Sequence, residues 1–160
     1  IGPSSVLFYL GAYATTNLAA FFAIIAISSR TGSELISEFA GMGRRAPLLA
    51  LVLAFSVISL TGIPPTAGFM GKLYVFSAAV RSDLVWLAVV GVVNSVLSAY
   101  YYLRVVRVMY MAEPSTQERL PVASAPLAAI FVTGLGILVL GLFPGPFFTF
   151  TEKAVAILFL

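Results

Sequence analysis

The chain has 160 residues, of which 61% are apolar and 15 are charged, nine Lys or Arg and six Asp or Glu. A charged fraction of 9% is roughly a third of what a water-soluble domain carries, which excludes an ordinary soluble globular fold. Cysteine and histidine are both absent, so the sequence offers no thiolate or imidazole to hold zinc, haem or an iron–sulfur cluster; no metal or cofactor site is expected in this chain.

The net charge of +3 does not point to nucleic acid, because the seven Arg and two Lys stand mostly at the ends of apolar runs and form no basic face. Uncharged runs of 29 residues precede Arg30, 26 separate Arg45 from Lys72, 20 separate Asp83 from Arg104 and 32 separate Arg119 from Glu152. A spanning helix needs about 20 apolar residues. The sequence therefore predicts an all-α, polytopic transmembrane bundle of four spans in a single membrane region covering 1–160. It begins at Ile1 with no basic segment ahead of an apolar run, and reads as the tail of a longer membrane protein.

The first span is expected over 6–27, with Asn17 and the Thr15, Thr16 pair as its polar interior residues. Within the connection that follows, Leu35, Ile36 and Phe39 recur at helical spacing opposite Glu34 and Glu38. Two readings fit that pattern, a short helix on the membrane surface or a solvated loop with one helical turn.

The second span, 48–80, contains Gly62-Ile63-Pro64-Pro65-Thr66-Ala67-Gly68. Two prolines remove two backbone donors and the flanking glycines lower helix propensity, so the helix should break near 62–68. Its 33 residues would make a straight helix of about 50 Å, against a hydrocarbon core of about 30 Å. Two half-helices fit better, and unwound backbone at that depth requires protein or a hydrated cavity to satisfy its polar groups.

The third span is expected over 84–110, with Asn94, Ser95 and Ser98 in its interior and Tyr100, Tyr101 and Tyr102 near its end. The fourth, 123–143, carries Gly134, Gly136 and Gly141, a small-residue pattern suited to close packing. Pro144-Gly145-Pro146 should stop it, leaving 147–160 to lie along the interface. Four crossings put Arg30, Arg44, Arg45, Arg104, Arg107 and Arg119 on one side and Arg81 and Lys153 on the other. The positive-inside rule then makes the six-arginine side cytoplasmic and places the C-terminus outside.

Lys72 is the ionisable residue deepest in a span, the tyrosines aside. It lies nine residues before Arg81, about 13 Å of helix, near the midplane of a core about 30 Å thick. A charge there costs at least about 2.5 kcal/mol on insertion scales and marks a partner or a hydrated path. Burial also disfavours the ammonium relative to the amine, which suits reversible protonation. The competing structural reading is a lysine that snorkels or caps the broken helix. Gly62, Pro64, Pro65, Thr66 and Gly68 at the break, and Asn94, Ser98 and Tyr101 on the next span, are candidates to line the path; Ser95, Tyr100 and Tyr102 belong to the same group. As interhelical glue each such residue would contribute about 0.6 kcal/mol.

The run Leu60-Thr61-Gly62-Ile63-Pro64-Pro65-Thr66-Ala67-Gly68-Phe69-Met70-Gly71-Lys72, with Phe76-Ser77-Ala78-Ala79, Asn94-Ser95 and Ser98-Ala99-Tyr100-Tyr101-Tyr102-Leu103-Arg104, resembles the subunit N family of proton-pumping NADH-quinone oxidoreductase, respiratory complex I. Tyr9-Leu10-Gly11-Ala12-Tyr13 with Asn17, and the 41–47 approach to the second span, extend the likeness over nearly the whole chain. The resemblance implies the last four helices of an antiporter-like translocase subunit. Lys72 would occupy the position of the broken-helix lysine in the proton path toward the outer face, where the related subunit M carries glutamate. It also implies that NADH, FMN, iron–sulfur clusters and quinone reside in other subunits. Subunit M and small membrane subunits would be neighbours in a bacterial inner (plasma) membrane. Two other functions fit the residues less closely: a subunit of a multi-subunit cation/proton antiporter, and a structural membrane subunit without a proton path.

Overall fold

A computed structural model describes residues 2–121 and 124–158, and every regular element among them is helical. Helix α1, Gly2–Thr31, is a single 30-residue rod that ends where Gly32 turns left-handed (φ 71°) and its N–H closes back on the Ser28 carbonyl at 2.8 Å. Phe8, Ala12, Thr16, Ala19, Ala23 and Ile27 recur every three or four residues on one face, none more than 1% exposed. This face is the centre of the bundle. Small alanines let α3 (Pro47–Thr61), α4 (Ala67–Arg81), α6 (Ser124–Leu142) and α7 (Pro144–Leu158) all pack against α1.

The second predicted span is two helices. Pro47 opens α3 at its first turn, where a missing N–H costs nothing, and α3 ends at Gly62 in the left-handed region (φ 89°). Residues 62–66 are non-helical, and α4 begins at Ala67 behind the N-cap Thr66. The chain then forms α5, Val85–Met111, within a residue of the predicted third span. By length and apolarity α1 and α5 could each cross a membrane, α3 is a shorter apolar helix, and α6 and α7 form an apolar pair bent by 87°. The predicted start of the fourth span at Ala123 lies outside the described residues.

Residues 36–39 form one 3-10 turn with Phe39 buried and Leu35 and Ile36 exposed. Leu35, Ile36 and Phe39 therefore share no apolar face, which favours the loop with one turn over the surface helix. A four-residue α2, Met42–Arg45, follows. Pro144 ends α6 but also starts α7, since proline fits a helix's first position. Helix α7 is held by protein: Phe147 and Phe148 meet Phe8 with tilted rings at 5.4 and 6.1 Å, and Phe148 stacks on Tyr74 at 4.4 Å. The three span-four glycines meet three partners, Gly134 on Val52, Gly136 on Thr15 and Gly141 on the Pro65 carbonyl.

The connections after α1 and after α5 touch. Leu120 donates its N–H to the Arg45 carbonyl at 3.0 Å, Arg45 Nε donates to the Glu118 carbonyl at 3.1 Å, and the Gly41 N–H meets the Val108 carbonyl at 3.4 Å. Both therefore lie at one end of the bundle. Apolar side chains cover the outer faces: Leu10, Phe21 and Ile25 on α1 and Trp86, Val96 and Leu97 on α5 are each more than half exposed. Such surfaces suit hydrocarbon or further protein rather than water.

Candidate functional site

The break in the second span leaves backbone groups that need partners, and the structure shows where they go. At the end of α3 the Gly62 N–H reaches the Ser59 carbonyl at 3.0 Å and the Ile63 N–H reaches the Ile58 carbonyl at 3.4 Å, the paired bonds of a Schellman terminus. This leaves the carbonyls of Leu60 and Thr61. Lys72 takes both: Nζ donates to Leu60 O at 2.8 Å and to Thr61 O at 3.1 Å. A cation at a helix C-terminus is held by the negative end of the helix dipole as well as by the carbonyls. One half-helix thus supplies the amine that closes the other.

The start of α4 is closed by hydroxyls. Thr66 Oγ1 accepts from the Phe69 N–H at 3.4 Å and donates to the Ile63 carbonyl at 2.7 Å. The Gly68 N–H donates to Ser59 Oγ at 3.0 Å. Thr16 Oγ1 lies 3.3 Å from the same Ser59 oxygen and 2.8 Å from the Ala12 carbonyl. With the Thr16 hydrogen committed to Ala12, Ser59 donates to Thr16, and a buried chain of bonds ties α1, α3 and α4 together. Thr66, Ser59 and Thr16 are all buried.

Lys72 also lines a cavity of about 370 Å³ bounded by α1, α3, α4 and α5. Each helix contributes one face. Tyr9, Tyr13 and Thr16 come from α1, Ser59 and Leu60 from α3, Gly68 and Lys72 from α4, and Asn94, Ser95, Ser98 and Tyr102 from α5. Two ammonium hydrogens are committed to carbonyls, so the third is free for the cavity. In the neutral amine the two hydrogens can keep the carbonyls while the lone pair faces the cavity. No carboxylate stands among the lining residues.

Of the residues singled out from sequence, Lys72, Gly68, Asn94, Ser95, Ser98 and Tyr102 meet at this cavity, and Gly62 backs the lysine stem, where an added Cβ would lie 3.0 Å from Lys72 Cδ. Thr66 caps α4 without lining the space, and Pro64 and Pro65 are exposed on the outside of the break. Tyr101 is not among the lining residues, whereas Tyr102 is, with the two rings 4.7 Å apart. Asn94, Ser98 and Tyr102 are four apart and share a face, while Tyr101 sits about 100° off it. Sequence reasoning passed over Tyr9, Tyr13 and Ser59 as lining residues. Tyr9, Tyr13 and Thr16 follow an i, i+4, i+7 pattern, a signal that was available.

Residues 1–98 match the family model described as NADH:quinone oxidoreductase/Mrp antiporter, TM. NADH-quinone oxidoreductase subunit N of Dehalococcoides mccartyi is 46% identical over 154 residues, covering 96% of this chain and 32% of that protein. Subunit N of Desulfitobacterium hafniense is 43% identical over 145 residues, 91% of this chain and 29% of that protein. The chain thus spans about a third of the length of these relatives.

Among solved structures, a chain of respiratory complex I from Thermus thermophilus with bound Aureothin superposes with a TM-score of 0.76 at 32% identity, over 89% of this chain and 34% of that one. A chain of the membrane-bound sulfane sulfur reductase, an archaeal respiratory membrane complex, gives 0.85 at 29% identity, over 94% and 31%. The Mrp complex from Dietzia gives 0.85 at 24% identity, over 98% and 38%, a likeness of fold alone.

Proposed function

Because this chain belongs to the NADH:quinone oxidoreductase/Mrp antiporter transmembrane family, we propose that it is the C-terminal part of a proton-translocating subunit N of NADH-quinone oxidoreductase, passing protons through reversible protonation of Lys72. The names of the relatives support subunit N. The observation that carries the role of the lysine is its position. Nζ is held by two carbonyls of a broken helix with its remaining valence turned to a cavity lined by hydroxyls and an amide. Water admitted there would bring protons to an amine that can release them again.

In this reading the four crossings are α1, α3 with α4, α5, and α6, with the arginine-rich end of the bundle cytoplasmic and the C-terminus periplasmic. Electrons pass elsewhere: NADH, FMN, iron–sulfur clusters and quinone belong to partner subunits, and subunit M is the expected neighbour in the bacterial inner membrane. An ion/proton antiporter without redox partners is the second reading, supported by the family description, which takes in the Mrp antiporter. Copurification of the intact protein with or without NADH-oxidising subunits separates the two.

The test of the lysine uses two substitutions in the intact assembly reconstituted in vesicles, with protons moved per electron as the readout. Lys72→Met removes both the proton and the bonds to Leu60 and Thr61. Lys72→Gln keeps an N–H₂ donor for those carbonyls but cannot titrate. Both should lower the proton yield while the assembly stays intact. A normal yield from Lys72→Gln would make the lysine a helix cap and end the proposal.

A further inference from the structure

Away from the lysine, the arginine-rich end of the bundle contains a second cavity, of about 230 Å³, bordered by Arg44, Arg45, Pro47, Leu48 and Arg119. Among the described residues no carboxylate pairs with any of the three guanidiniums; Arg45 spends one N–H on the Glu118 carbonyl, and Arg44 and Arg119 are exposed. The cavity opens at the first turn of α3, whose cap residue Ala46 offers no side-chain acceptor to the free N–H groups. Three arginines and an uncapped helix N-terminus border one space, and both favour an anion.

Leu48 is shared with a third cavity, of about 240 Å³, which runs between α3 and α6 and is lined by Leu51, Phe55, Phe131, Leu135 and Leu138 among others, all apolar. Leu51 and Phe131 are 59% and 58% exposed. A pocket bordered by three arginines therefore shares Leu48 with an apolar trough along two apolar helices. A soluble phosphate would use only the first, and a purely apolar protein helix only the second. A molecule with an anionic head and a hydrocarbon tail uses both.

From this juxtaposition we infer that the Arg44–Arg45–Arg119 pocket and the α3/α6 trough together bind one anionic phospholipid, its phosphate on the arginines and an acyl chain past Leu48 against Phe55 and Phe131. The inference rests on the proposed reading that α3 enters the bilayer at Pro47, which puts the pocket at headgroup depth and the trough in the hydrocarbon. It does not depend on any role of Lys72.

The experiment is native mass spectrometry of the intact, delipidated assembly titrated with phosphatidylglycerol, or with phosphatidylcholine of the same chains. Arg44→Gln with Arg119→Gln should weaken one phosphatidylglycerol site about thirtyfold, with phosphatidylcholine binding unchanged. Leu51→Trp, which fills the trough and keeps the arginines, should remove the same site. The subunit masses in each spectrum report whether the variant has assembled. Unchanged phosphatidylglycerol stoichiometry in either assembled variant overturns the proposal, as does displacement of the lipid by inorganic phosphate at comparable concentration. Labelling of Ser115→Cys by an impermeant thiol reagent from each side reports the orientation separately. A wrong orientation would move the site to the outer leaflet without changing the lipid count.

Discussion

Gly68 and Ser59 meet across the broken span so closely that a Cβ on Gly68 would lie 1.9 Å from the Ser59 carbonyl oxygen. The obstacle is backbone, the Gly68 N–H is already bonded to Ser59 Oγ, and neither half-helix can move without losing that bond. Overpacking costs about 1–3 kcal/mol even where side chains can adjust, so Gly68→Ala should cost about 3 kcal/mol or more. At Gly71 an added Cβ would meet the Tyr9 ring at 3.1 Å, and a ring can shift. Thermal unfolding of the assembly should therefore rank Gly68→Ala well below Gly71→Ala. Equal losses would mean that the contact at the break is not the constraint.

Gly62 has two roles that one substitution removes together. Its φ of 89° costs an L-residue about 1–2 kcal/mol, and its missing side chain leaves room for the lysine stem. Gly62→Ala should push Lys72 Nζ away from the Leu60 and Thr61 carbonyls at a modest loss of stability and, on the proposed role of the lysine, reduce the proton yield per electron. Asparagine tolerates the backbone but crowds the stem. Gly62→Asn should therefore stay stable and still pump poorly; if it pumps like the parent, crowding of the lysine is not limiting.

The break could be read from sequence because its causes are local: two adjacent prolines and a glycine on each side act on the backbone whatever surrounds them. Lys72 was equally legible, being one charge in a long apolar stretch. What Lys72 bonds to was not, since the free carbonyls of Leu60 and Thr61 exist only once the chain folds back by a turn. The α1 contribution of Tyr9 and Tyr13 was hidden for another reason. It depends on which helix packs beside α4, some 60 residues away, and only the i, i+4, i+7 spacing hinted at it. The start of α7 at Pro144 was less legible, because proline both stops one helix and starts the next.

Thr66 caps α4 through its hydroxyl. Its hydroxyl accepts from Phe69 N and donates to Ile63 O, and the residue is fully buried. Losing an N-cap costs about 1 kcal/mol, and a buried carbonyl left without its donor adds about 1–3 kcal/mol. Thr66→Val, nearly the same shape without the hydroxyl, should therefore destabilise the assembly by about 2–4 kcal/mol. Thr66→Ser should recover most of that in chemical denaturation. A serine variant as weak as valine would assign the effect to packing of the methyl group.

The three consecutive tyrosines of α5 allow a test of the cavity that leaves volume almost untouched. Tyr102 lines the space beside Lys72, whereas Tyr100 is 82% exposed on another face. Replacing either with phenylalanine deletes one hydroxyl. If protons reach the lysine through hydrogen-bonded groups and water in this cavity, losing the Tyr102 hydroxyl removes a contact worth about 0.5–1.5 kcal/mol. Proton translocation should then slow by up to about tenfold. Tyr100→Phe, facing outward, should be silent, and Tyr101→Phe should fall between, because its ring rests on Tyr102. Initial rates of acidification in sealed vesicles at fixed electron flux give the order directly. Equal effects at 100 and 102 would show that the α5 face does not carry the protons, and would shift attention to Tyr9 and Tyr13 across the cavity on α1.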